Sequence, residues 1–459
     1  MNFEEAMTRV EVELSFPEDL SDFHNRRTRA LFLETGLMEQ LKSTPTVVVT
    51  GSCGKASTAH YLAECASELF RLTGQNQEVG LGTKPPLLET LDGNRERYQV
   101  LSSKGKRWIE RDEFAALVSQ LPPLPDNLAP YDLRYWLLGK WFVERRVGLA
   151  IIEANIGFRL DPASVFPSPV AQLLTPIGLD HIGLLSPGGA PDDVLALGQR
   201  AGPTWHKACC PTSEFTICGL QSPDVASVVQ RFNPDLLLAG RDFSSAVLSQ
   251  SVEGTTARID LEGATLEVDL RTVGRHQAEN AAQAAACLWE LWKRGVVGGR
   301  EEHVLEALET GLSRTSIPGR MERLGEQPAM FLNAATGVIK IDGMMQALED
   351  LTAGRRGLWI NMSVLDRLVG ETIPEWLETS LKRILRSPVT LGFTATAPGE
   401  DMDPARLAEW ARQLATREVE TDFSLHPLEA LERQREKAEL IVLLGQSQAE
   451  LREPLLTHA

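Results

Sequence analysis

Thr46-Val47-Val48-Val49-Thr50-Gly51-Ser52-Cys53-Gly54-Lys55-Ala56-Ser57 reads as a buried strand that ends in a glycine-containing turn and opens a helix over Ala56 to Phe70. A run of β-branched residues without polar alternation suits a strand covered on both faces, as in a parallel sheet. A helix that starts where such a strand stops places its unpaired N–H groups and the positive end of its dipole at one point, which suits a polyphosphate. Glycines let the backbone approach the anion, and a lysine at the helix start reaches the outer phosphates. Gly51, Ser52, Gly54, Lys55 and Ser57 are therefore the candidate nucleotide-binding residues. The strict G-x-x-x-x-G-K-[ST] pattern is not met, because Val49 stands at its first glycine and Ala56 follows the lysine. A phosphate-transferring P-loop kinase or GTPase would carry a hydroxyl directly after Lys55, and Ala56 argues against that class.

Outward from this loop, short β-rich runs alternate with helical patterns, the signature of an α/β fold with a parallel sheet. Strands are expected at Gly80–Thr83, Val147–Glu153 and Val170–Thr175, and helices at Tyr131–Arg146, Asp192–Ala201 and His276–Lys293. Arg258–Glu262 and Thr265–Leu270 alternate around Gly263 and read as a hairpin. Ile317-Pro318-Gly319 breaks the pattern. A second α/β series follows, with strands near Met330–Asn333, Leu358–Asn361, Val389–Phe393 and Leu440–Leu444. The expected architecture is a parallel-sheet ATP-binding domain over residues 1–316 and a smaller doubly wound α/β domain over 317–459.

The chain has 459 residues, too many for one ordinary core. Its net charge of −17, with no basic run to offset it, argues against nucleic acid as a partner. No apolar run approaches the roughly 18 to 20 residues that span a bilayer, so no membrane partner is expected. The acidic start MNFEEAMTRVEVE does not read as a secretory signal, which points to the cytoplasm. The six cysteines form no C-x-x-C pair, and adjacent Cys209 and Cys210 read as small buried hydrophobes. The nine tryptophans, Trp136, Trp141, Trp289 and Trp292 among them, read as core packing.

Several further stretches follow the loop in a recognisable order. Gly80-Leu81-Gly82-Thr83-Lys84-Pro85-Pro86-Leu87 resembles GLYTSPHL, and Glu153-Ala154-Asn155-Ile156-Gly157-Phe158-Arg159-Leu160-Asp161 resembles EVGLGGRLD. Ile177-Gly178-Leu179-Asp180-His181 is IGLDH unchanged, Gly274 to Ala281 resembles GxHQxxNA, and Pro318-Gly319-Arg320 is PGR. Leu332 to Val338, LNAATGV, stands where LDGAHNP is expected, and GSCGKAS stands where GTNGKGS is. With these motifs the chain resembles the Mur ligase superfamily, and within it folylpolyglutamate synthase.

That resemblance implies an ATP-dependent ligase. The γ-phosphate passes to a substrate carboxylate, and the acyl phosphate is attacked by the amine of an amino acid, glutamate by resemblance, on a folate-like acceptor. Two anions must meet in the first step, so lysine and Mg2+ offset their repulsion. Lys55 would hold the β/γ-phosphates, Glu153 and His181 match the magnesium-site residues, and Asn280, Arg320 and Asn333 match positions of the ATP pocket. Three departures fall on catalytic parts. Lys84 replaces a metal-ligating serine, and an ammonium cannot ligate a cation. Arg200, in Gln199-Arg200-Ala201-Gly202, replaces a lysine that carries a carbamate in the family's EKAG motif, and arginine stays protonated. Asn333 and Thr336 replace an aspartate and a histidine. Lys84 and Arg200 make the site more positive than in the family, as a site holding fewer metal ions would be. The alternative is a family member that binds nucleotide or a partner without catalysing.

Overall fold

The computed structural model describes residues 1–11, 25–84, 87, 92–123, 128–167, 169–178, 196, 201–208, 213–233, 235–334, 337–352, 357–364, 372–395, 401–416, 421–424, 427–445, 447–452 and 455. His181, Arg200, Thr336, Cys209 and Cys210 lie outside these residues, as does almost all of the helix expected over 192–201. The described chain divides into two compact units. The first takes Met1–Ala246, Ala257–Asp269 and Gln277–Thr315; the second takes Ser316–Ala459 together with Val247–Thr256 and Leu270–His276. The two upstream stretches join the second unit because Val252 and Val273 pack into its hydrophobic core.

The first unit is built on an eight-stranded sheet in the order β4-β3-β2-β5-β1-β6-β7-β8. Its strands are β1 (Thr46–Thr50), β2 (Val79–Gly82), β3 (Tyr98–Ser102), β4 (Gly105–Trp108), β5 (Leu149–Glu153), β6 (Pro169–Leu174), β7 (Phe215–Cys218) and β8 (Leu236–Leu238). From β2 to β8 the neighbours run parallel, while β3 and β4 extend the edge as an antiparallel pair. All five residues of β1 are buried, as its β-branched run requires. The chain leaves β1 toward β2 on one side and leaves β6 toward β7 on the other, so the sheet has its topological switch point at the carboxyl ends of β1 and β6. Ligands of open α/β sheets bind in such crevices.

The helix Lys55–Leu72 is covered by the helix Glu301–Arg314. A Cβ on Gly311 would lie 2.6 Å from the Cα and 2.7 Å from the backbone N of Cys65. Arg314 then fixes the register by pairing with Glu64 and Glu68. Gly311→Ala is expected to destabilise the protein by about 1–3 kcal/mol, because the clash is with backbone that cannot rotate away. Urea denaturation checks it; a raised midpoint, as helix propensity alone would give, would show that the two helices part freely.

The second unit carries a six-stranded sheet in the order β12-β13-β17-β14-β15-β16, with β12 (Arg320–Glu326), β13 (Ala329–Asn333), β14 (Leu358–Met362), β15 (Thr390–Thr394), β16 (Thr421–Ser424) and β17 (Leu440–Leu444). Only β12 runs antiparallel. Its core joins Phe331, Ile360 and Val442 of the strands to Ile341, Leu348, Leu377 and Leu407 of the helices. His276 is wedged between Gly274 and Gly343, and burial pulls its pKa down to about 4, so the ring packs as a neutral group. In chain order, a three-stranded sheet of β9 (Ser244–Ser251), β10 (Gly254–Leu261) and β11 (Ala264–Leu270) follows β8 and precedes β12. Only Glu262-Gly263 separates β10 from its neighbour β11, and the hairpin begins earlier, at Gly254, than alternation around Gly263 suggests.

Trp136, Trp141 and Trp289 are buried, and Trp292 is half-buried with its indole N–H donated to the Gly299 carbonyl at 3.0 Å. Cys65, Cys218 and Cys287 are buried thiols whose pKa values burial pushes up, that of Cys218 to about 12. Among the described residues no helix is long and apolar enough to cross a membrane.

Candidate active site

The loop after β1 turns on two glycines. Gly51 has φ 122° and Gly54 has φ 85°, both in the region that side chains avoid. A Cβ on Gly51 would lie 2.2 Å from Thr175 Oγ1, and one on Gly54 would lie 2.4 Å from Asn280 Oδ1. Gly54 caps the helix Lys55–Leu72. Between them, the backbone N–H groups of Ser52 and Cys53 donate to the Pro176 carbonyl at 3.0 and 3.4 Å. Lys55 Nζ folds back onto the Gly51 carbonyl at 2.9 Å. Ser57 is buried in the first turn of the helix. Asn280, on the helix Arg275–Lys293, accepts from Thr58 Oγ1 at 3.4 Å and so lies directly against the loop helix within the first unit.

A second cluster stands beside the loop, at the carboxyl ends of β2 and β5. Lys84 follows β2, and its backbone N–H donates to Glu153 Oε2 at 3.0 Å. Glu153 closes β5 with 5% of its surface exposed, and its carbonyl accepts from the Tyr135 hydroxyl at 2.7 Å. Asp161 is fully buried, with its two carboxylate oxygens taking the N–H groups of Ile156 at 2.6 Å and Ala163 at 2.9 Å. Arg97, Arg134 and Tyr135 line the same pocket as Lys84 and Glu153.

The pocket is electrostatically unusual. Burial pulls the Lys84 ammonium down to about 7; the Lys55 charge, and more weakly that of Arg97, act the same way, while Glu153 and Asp161 oppose them. Burial pushes Asp161 up to about 6, against the pull of Lys84 and of its backbone donors. Burial also pulls Arg134 down to about 10 and raises Tyr135 well above the usual phenol range. Lys84 therefore lies within electrostatic reach of both Lys55 and Glu153, where its charge state responds to any anion that enters.

Among the described residues, no three His, Cys, Asp or Glu side chains converge as a metal cluster. Glu153 keeps Oε1 beyond its bond to the Lys84 N–H. One carboxylate plus phosphate oxygens is a usual way of holding Mg2+, so Glu153 fits a magnesium ion delivered on a nucleotide. Lys84, which carries no ligand atom for a cation when protonated, does not fit a second metal.

Arg320 and Asn333 fall in the second unit, where β12 and β13 place them as direct cross-strand neighbours. Asn333 is buried at the carboxyl end of β13, and Arg320 is half-buried. The motif pattern passed over Arg97, Arg134, Tyr135 and Lys207. Lys207 is buried against the loop, its Nζ 2.7 Å from Ser52 Oγ. The available signal was a lone lysine beside His206 in the stretch Trp205-His206-Lys207-Ala208-Cys209-Cys210, which carries no other Asp, Glu, Lys or Arg.

No family model matches the chain. A dihydrofolate synthase/folylpolyglutamate synthase of Mycobacterium tuberculosis is 26% identical over 319 residues, 67% of this chain and 63% of that protein. The chain thus matches somewhat less than two thirds of that relative's length. A folylpolyglutamate synthase of Lacticaseibacillus casei is 26% identical over 366 residues, 76% of this chain and 77% of its own. The crystal structure of Mycobacterium tuberculosis folylpolyglutamate synthase complexed with ADP and AMPPCP superposes with a TM-score of 0.75, at 19% identity and over 99% of both chains. The chain carries the Mur-ligase-like fold in two units and is related in sequence to the folylpolyglutamate synthases.

Proposed function

We propose that this protein is an ATP-dependent carboxylate–amine ligase that joins glutamate to a folate-like acceptor through an acyl phosphate. The observation that carries this reading is the grouping, at the carboxyl ends of the neighbouring strands β1, β5 and β2, of a phosphate-type loop with Lys55, a second lysine at 84 and the carboxylate of Glu153. The names of the relatives, folylpolyglutamate synthase and dihydrofolate synthase, support the substrate class.

The chemistry assigns work to each group. The loop residues Gly51, Ser52, Gly54 and Ser57 cradle the phosphates at the helix start, and Lys55 swings from the Gly51 carbonyl onto the β/γ-phosphates. The acceptor carboxylate attacks the γ-phosphorus and ADP leaves. The amine then attacks the acyl carbon, phosphate departs, and the amine proton is lost to give the amide. Magnesium, held by Glu153 with His181, supplies charge neutralisation on the phosphates when bound. Lys84 and Arg200 supply further positive charge where the relatives rely on a metal-ligating hydroxyl and a carbamate. By resemblance, Asn280, which lies against Gly54, and Arg320 and Asn333 of the second unit are further nucleotide-binding candidates. The place of work is the cytoplasm. A second reading, nucleotide or partner binding without turnover, draws on the same Lys84, since a cation beside Glu153 competes with magnesium.

ADP release in the presence of Mg2+, with a panel of carboxylate acceptors and with glutamate or other amino acids, tests the proposal. Release that requires both an acceptor and an amino acid is the expected result. Intact ATP binding with no release across the panel would transfer the assignment to the second reading. Glu153→Gln is expected to abolish the strengthening of ATP binding by Mg2+ while leaving the unfolding midpoint close to wild type. An unchanged magnesium dependence would make Glu153 a purely structural anchor for the Lys84 backbone.

A further inference from the structure

Lys207 sits in the last turn of the helix Ala201–Ala208 with only 1% of its surface exposed. Taking an ammonium out of water is expensive unless the charge is used in hydrogen bonds. Here Nζ donates to Ser52 Oγ at 2.7 Å, and the same hydroxyl oxygen accepts the Gly178 N–H at 2.9 Å. Ser52 is the residue whose own N–H, with that of Cys53, sets the direction of the loop by bonding Pro176. The root of Lys207 is equally constrained. Its carbonyl accepts from Thr50 Oγ1 at 3.0 Å and from Gln172 Nε2 at 2.9 Å, which ties it to the end of β1 and to β6. Root and tip thus brace the two sides of the turn that leaves β1. A methionine would fill the same volume, but it has no N–H to hold the hydroxyl.

We infer that Lys207 is a positioning residue for nucleotide binding, which acts through Ser52 to hold the loop Gly51–Lys55 and to keep a second amine beside that loop. The nucleotide part rests on the proposed function; the coupling of Lys207 to Ser52 does not. A charge-assisted hydrogen bond to a loop hydroxyl that also accepts the Gly178 N–H is strong enough to restrict a glycine-bounded loop. In an electrostatic role, the buried charge would also count for more than one at the surface.

The test uses the full chain and the variants Lys207→Met, Lys207→Arg, Ser52→Ala and the double variant Lys207→Met/Ser52→Ala. Backbone hydrogen exchange at Ser52 and Cys53 is followed without nucleotide, and ATP affinity is measured by calorimetry. Lys207→Met and Ser52→Ala are each expected to speed exchange at these amides about tenfold and to weaken ATP binding about tenfold. The double variant should be no worse than Lys207→Met, and Lys207→Arg should recover part of both losses. Unchanged loop exchange in a folded Lys207→Met overturns the inference. If that variant does not fold, unchanged exchange in Ser52→Ala does so instead. Faster loop exchange in a protein whose wild type binds no ATP supports the Lys207–Ser52 coupling and removes the nucleotide reading, so the two failures are separable.

Discussion

Lys84→Met is expected to lower amide-forming turnover about 10²-fold, the usual cost of removing one preorganised charge from a phosphoryl-transfer site. Lys84 lies within electrostatic reach of Lys55, Glu153, Asp161 and Arg97, and burial pulls its pKa down to about 7. In the free enzyme its positive charge is therefore present below about pH 7 and lost above it. If that charge serves the phosphates, kcat/KM should fall as pH rises through this region, because this ratio reports the free enzyme. Bound ATP favours the charged form, so the same fall in kcat should appear at higher pH. Lys84→Met should lose this limb of the profile altogether. Folding stability runs the other way. Between about 7 and the ordinary lysine value of 10.5, the unfolded chain holds a proton that the folded one does not, so stability should rise with pH there. Added bicarbonate should leave turnover unchanged, since Arg200 carries no carbamate. Robust turnover in Lys84→Met with an unaltered pH profile would refute the substitution of lysine charge for metal charge.

Lys55→Ala is expected to weaken ATP binding about 10- to 100-fold, the range of a lost charge-assisted contact to phosphate. The loop should survive the change. Its course is set by Gly51 and Gly54, whose positive φ angles and tight contacts to Thr175 and Asn280 do not involve the lysine side chain. The bond that Lys55 Nζ makes to the Gly51 carbonyl at 2.9 Å is local, and the helix behind it is buried along most of its length. Calorimetric titration of ATP into wild type and variant, with thermal unfolding as a control, measures the loss. Equal affinities would remove the loop from the nucleotide site and leave Lys84 and its neighbours without a phosphate to serve.

What the sequence by itself determined here is local. TVVVT is legible as a strand because its five β-branched residues suit extended backbone, and its lack of polar alternation marks a strand covered on both faces, as β1 is. The turn GSCGK is legible because only glycine takes the φ values found at 51 and 54 without strain. Ordered motifs, read as a resemblance, named Glu153, Lys84, Asn280 and Arg320, although nothing in their local patterns marks them as functional. Tertiary structure decided the rest. The order of strands puts β1 between β5 and β6, and so brings residue 153 to the phosphate loop. Val252 and Val273 join the second unit through packing that no local period reveals. The low pKa of Lys84 comes from burial and from a neighbour 29 positions earlier in the chain, and the bond from Lys207 to Ser52 closes over 155 positions. Burial and charge proximity depend on distance in space, and a linear pattern carries those distances only within a helix turn or a strand.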